Sequence, residues 1–157
     1  MNIVRVPRIA FILVLGIALS WRGFPAHAAA RSSTPDLRKY AGAEGSKVLA
    51  DREIRNELRA LMKSSYQRFA DNFEVTEKLG TINPDGSFEI TGFVSHLHME
   101  YRSILVLKPD GKTYAALLDV DKIEYFSNDP DYKDQLYPSI GVWRSDLADK
   151  PVLFKSR

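Results

Sequence analysis

From Asp51 to Phe69 the apolar positions recur at helical spacing. Ile54, Leu58, Leu61, Met62 and Phe69 form one stripe with charged residues between them. Asp51 is placed to cap this amphipathic helix, and Lys63-Ser64-Ser65 predicts a break before it resumes through Tyr66. After Asn72 the period falls to two. FEVTEKL, SFEITGFV, RSILVLK, TYAALLDV and KIEYFS are short segments separated by turn signals such as NPDG and KPDGK, and they predict about five antiparallel strands. A loop, NDPDYKDQLYP, then leads to a short helix, SIGVWRSDL, after Pro138, with Ile140, Trp143 and Leu147 as packing residues. The order predicts an α+β fold, with the N-terminal helix packed on the sheet and residues 48–157 forming one domain.

The start of the chain follows different rules. Arg5 and Arg8 precede an apolar run from Ile9 to Leu19, and FPAHAAA then supplies Ala26-His27-Ala28, a signal-peptidase site. Residues 1–28 are therefore expected to be a signal peptide directing the protein to the periplasm, with no membrane attachment after cleavage; the run is short for a bilayer span. Residues 29–47 are small, polar and charged, which predicts a flexible leader with anchoring contacts from Leu37 and Tyr40.

Removing 1–28 changes the charge reading. It takes away Arg5, Arg8 and Arg22 and no acidic group, so 19 basic side chains face 20 acidic ones and the formal charge is −1. No concentrated basic face argues for a nucleic-acid partner. The chain has no cysteine, so an exported domain must be held by its core alone. Asp119 to Gln135 carries Asp119, Asp121, Glu124, Asp129, Asp131 and Asp134 against Lys122 and Lys133. This run is expected to be solvated, or to steer a basic partner if it flanks a binding surface.

The candidate chemistry lies in GFVSHLHMEYR. After His27, His96 and His98 are the remaining histidines, and Glu100 follows two residues later. On an extended strand, His96, His98 and Glu100 would share a face and offer two imidazoles and a carboxylate to zinc or copper. Alternatively, the histidines sit on a connection that meets another protein, or they are half-buried, hydrogen-bonded surface residues at a strand entrance with no ligand at all. Enzymatic readings find no Gly-x-Ser-x-Gly elbow, no cysteine nucleophile, no phosphate-binding glycine loop and no His-Glu-x-x-His helix. The carboxylates are plentiful, but nothing selects a catalytic pair among them.

The stretch TGFVSHLHMEYRSILVLKPDGKTYAALLD, Thr91 to Asp119, resembles the Ivy family of periplasmic inhibitors of vertebrate-type lysozyme. In that family a strand ends in Gly-Cys-x-Pro-His-x-Cys and is followed by a strand, a turn and another strand. Gly92 matches the glycine and His96 the histidine. Phe93 and His98 stand at the two cysteine positions, and Ser95 stands at the proline. The resemblance implies an Ivy-like fold and a protein that is not an enzyme and needs no cofactor. It implies a lysozyme or related peptidoglycan hydrolase as partner, plugged by His96 on an inhibitory loop of Gly92, Phe93, Ser95, His96, Leu97 and His98. An immunity protein against a delivered toxin fits the same pattern. The family's disulfide is absent here, so the loop loses more conformational entropy on binding unless packing around Phe93 or Tyr101 replaces it.

Overall fold

A computed structural model describes residues 36–147 and 150–155. The expected signal peptide, 1–28, and the first part of the expected leader, 29–35, lie outside the described residues. The fold is α+β. Helices α1 (Gly45–Ala50), α2 (Arg52–Met62) and α3 (Tyr66–Asp71) come first, followed by strands β1 (Val75–Ile82), β2 (Phe88–Phe93), β3 (Tyr101–Leu107), β4 (Thr113–Asp119) and β5 (Lys122–Ser127). Helix α4 (Pro138–Ser145) and strand β6 (Val152–Phe154) close the chain. The strands lie in the order of the sequence, antiparallel through β5, and β6 runs parallel to β5.

The helical stripe is buried as its spacing requires, with Ile54, Leu58, Leu61, Met62 and Phe69 all in the core. Asp51 caps α2 by accepting from the Glu53 and Ile54 N–H groups. The break falls at Lys63–Ser65, a 3₁₀ turn, because Lys63 leaves helical space at φ 52° and ψ −120°. In the Pro-Asp-Gly turns, Gly86 and Gly111 take φ of 78° and 85°, conformations that favour glycine. β6 escapes the sequence pattern, so the sheet has six strands where about five are expected. Three residues show no period, and pairing to β5 alone makes Val152–Phe154 a strand.

The anchoring contacts expected from Leu37 and Tyr40 are present, and they hold the segment from Leu37 onward in ordered structure, where a flexible leader is expected. Leu37–Tyr40 form a 3₁₀ turn, Leu37 and Tyr40 are buried, and Lys47 already lies in α1. Gly42 and Gly80 exchange backbone bonds with their neighbours across this contact (Gly42 N–H to Gly80 O, Gly80 N–H to Ala43 O), tying the segment to β1. Low local hydrophobicity hides it, because a few anchors and a ladder-like pairing do the holding.

Both sheet faces are covered. Phe88, Ile90, Leu105, Leu107, Ala115, Leu117 and Phe126 pack under the N-terminal helices. Ile104, Val106, Tyr114, Ala116, Leu118, Ile123 and Tyr125 pack with Ile140, Trp143 and Leu147 from the α4 region, as the closing-helix pattern predicts. Ile104 to Leu107 are consequently all buried, and the alternation expected of a half-exposed meander is lost in β3 and β4. Among the described residues no helix is long and apolar enough to cross a membrane.

Candidate functional site

One end of the sheet gathers the β2–β3 connection, the β4–β5 turn, the end of α3 and the start of β1. The connection, Val94 to Glu100, is a series of turns. Its base is closed by Val94 N–H donating to Tyr101 O at 3.1 Å. Leu97 N–H donates to Val94 O, and Leu97 O in turn accepts from both Glu100 and Tyr101 N–H. These bonds are local, so the loop holds its shape without a covalent tie.

The chain places the six loop residues in distinct roles. Gly92 is buried in β2, where an added Cβ would lie 2.6 Å from the Phe73 ring and 3.0 Å from Asn72 O, so glycine lets the end of α3 approach the sheet. Phe93 ends β2 half-buried, and its ring meets the His98 imidazole edge to face with centroids 6.1 Å apart. Ser95 N–H points to Glu74 Oε2 at 3.3 Å. His96, Leu97 and His98 are exposed, and His96 takes φ 63°, which is uncommon outside glycine.

The metal arrangement expected from an extended strand is corrected. Residues 96–100 are turns, so His96, His98 and Glu100 do not alternate along one strand face. Among the described residues no group of three or more His, Cys, Asp or Glu is arranged to hold a metal ion.

The neighbouring turn is strained in its own right. Asp121 N–H donates to Asp119 O across Val120, a three-residue turn, with Val120 at φ 59°. A β-branched residue in that region costs on the order of 1–3 kcal/mol and persists because its surroundings impose it. Val120 N–H donates to Glu100 O at 2.7 Å, and Lys150 Nζ donates to Val120 O at 2.9 Å. The two turns are therefore one hydrogen-bonded tip, and it exposes Leu97, Met99 and Val120.

Beneath the loop lies a cleft of about 220 Å³, lined by Val94, Leu97, Tyr101, Leu117 and Leu118, with Arg68, Asp71, Asn72 and Asp119 around it. Asn72 anchors this region by donating through Nδ2 to Arg102 O and Leu118 O. Arg68 pairs with Asp119 and Glu124. Burial pushes the Glu124 carboxyl up, but the Ser65 hydroxyl and Arg68 outweigh it and hold it below the usual carboxylate range. Nothing in the sequence pattern marks this cleft, because Arg68 and Asp119 are separated by 51 residues and meet only through the packing of α3 on β4.

The acidic run divides between the two ends of the sheet. Asp119 and Asp121 stay at the loop end. Asp129 sits at the opposite end, buried, accepting from Tyr114 and pairing with Lys112. No protein-family model matches the chain, and no curated protein or solved structure matches it either.

Proposed function

We propose that the protein is a periplasmic inhibitor of a lysozyme or related peptidoglycan hydrolase, binding through the 94–100 loop and inserting His96 into the active site. It acts by occlusion and performs no chemistry of its own. The observation that carries the reading is the exposed His96 at φ 63°, within a loop pinned at its base by Val94 and Tyr101. A preorganised loop loses less entropy on binding than a free one.

The family resemblance supplies the target and the local geometry is compatible with it. The two positions where the family has cysteines hold Phe93 and His98, whose rings are in contact. That contact and four local backbone bonds stand in for the missing disulfide. Lysozyme-type hydrolases pair a protonated glutamic acid with an ionised carboxylate, and one imidazole can accept from the first and donate to the second. A delivered cell-wall toxin with the same carboxylate pair would be met in the same way, which makes the protein an immunity factor.

The test is inhibition of lysozymes of different types by the purified protein, with His96→Ala beside it. Loss of a central hot-spot side chain costs about 2 kcal/mol or more, roughly thirtyfold in affinity. Wild-type inhibition that His96→Ala leaves unchanged would remove the plug assignment, and no inhibition of any such hydrolase would remove the target class.

A further inference from the structure

We propose that the cleft under the 94–100 loop is a socket for a basic side chain of the protein partner, its alkyl stem between Val94, Leu97 and Tyr101 and its cationic head at Asp71. This rests on the loop end being the face that a protein partner meets. The partner would then be gripped reciprocally, receiving His96 and giving up a lysine or arginine.

Size and polarity select the occupant. At about 220 Å³ the cleft falls below the roughly 300–1,000 Å³ typical of small-molecule sites and suits a single side chain. Its accessible apolar walls are Val94, Leu97 and Tyr101, which match the methylenes of a long side chain. Charge at the opening is unbalanced. Arg68 is shared by Asp119 and Glu124, while Asp71 is exposed, accepts from the Gln67 amide and among the described residues pairs with no cation. Among the lining residues one guanidinium, Arg68, faces two carboxylates, Asp119 and Asp71, which leaves the opening negative. An anionic or acyl-acid occupant would meet repulsion there, and a neutral one would leave Asp71 unanswered. Leu97 also couples the socket to the plug, because it lines the cleft and directly follows His96.

Three probes with one stem and different heads test this without any hydrolase: hexylammonium, 1-hexanol and hexanoate, titrated into the ¹⁵N-labelled protein at low ionic strength. Hexylammonium is expected to shift the Leu97, Tyr101 and Asp119 amides saturably and to bind about threefold or more tighter than hexanol, the scale of a partly exposed ion pair. Hexanoate should bind least. Asp71→Asn, a surface change, should erase the advantage of hexylammonium over hexanol while leaving the hexanol shifts in place. Equal binding of hexanol and hexylammonium in the wild type would make the cleft a plain apolar hole and overturn the proposal. Preference for hexanoate, or no saturable shift at these amides, would overturn it as well. Cleft occupancy together with no hydrolase inhibition would remove the plug reading while keeping the socket, and the converse result would do the reverse.

Discussion

The Phe93 ring and the His98 imidazole meet edge to face, with centroids 6.1 Å apart and planes at 68°, across the base of a loop that exposes His96 between them. Ring contacts of this geometry contribute about 0.5–1.5 kcal/mol, less than a disulfide, so the backbone bonds of Val94, Leu97 and Tyr101 carry part of the closure.

This pairing separates the roles of the two histidines. His96→Ala should weaken inhibition by roughly thirtyfold or more, whereas His98→Ala and Phe93→Ala should each cost under about 1 kcal/mol of binding, by loosening the loop. Inhibition constants for the three variants, with circular dichroism to confirm folding, check the order. Adding a covalent closure with the double substitution Phe93→Cys and His98→Cys should tighten binding under oxidising conditions and lose the gain on reduction.

Lys63 holds the break between α2 and α3 at φ 52° and ψ −120°, a conformation that glycine adopts without steric cost. Lys63→Gly should therefore stabilise the protein by up to about 1 kcal/mol despite the extra freedom of the unfolded chain. A rise in the urea midpoint with an unchanged slope is the expected result. A fall would mean that the Lys63 side chain contributes more than its backbone costs.

Asp51 supplies an acid-sensitive cap. Burial pushes its carboxyl up, but bonds from Tyr40, the Ile54 and Glu53 N–H groups and Lys39 outweigh that and bring it down to about 2. The folded state thus favours the ionised form, so its stabilisation is complete above the ordinary aspartate value near ~4 and is lost as pH falls toward 2. Asp51→Asn should flatten the stability profile in that window, and Asp51→Ala should cost about 1 kcal/mol at neutral pH through the lost cap. Urea titrations between pH 2 and 7 measure both.

The division of the acidic run predicts a position-dependent salt effect. Association with a basic hydrolase should slow as ionic strength rises. Asp121→Asn, at the loop end, should reduce the association rate, while Asp134→Asn should leave it unchanged. Stopped-flow association across a salt series distinguishes the two; equal effects would detach the steering from the tip.

Spacing and turn chemistry along the chain are enough to specify the local structure. The Asp51 cap, the helical stripe through Phe69, the break at Lys63–Ser65, the Pro-Asp-Gly turns and the strand at Lys122–Ser127 follow from spacing and turn chemistry within a few residues. Features that depend on distant partners arise only from packing. Leu37 and Tyr40 are fixed because β1 and the helices receive them; Val152–Phe154 is a strand because β5 offers an edge. The same holds at the loop end. Alternation through His96, His98 and Glu100 is compatible with a strand, but the bond from Val94 to Tyr101 and the double acceptance at Leu97 O turn the segment into a loop. The cleft required α3 to meet β4 across 51 residues of chain, and the strained Val120 turn is held in part by its N–H donating to Glu100 O and by Lys150 donating to its carbonyl. Short-range preferences act on neighbouring φ and ψ angles, whereas loop closure and cleft formation depend on burial and hydrogen bonding that exist only once the layers have packed.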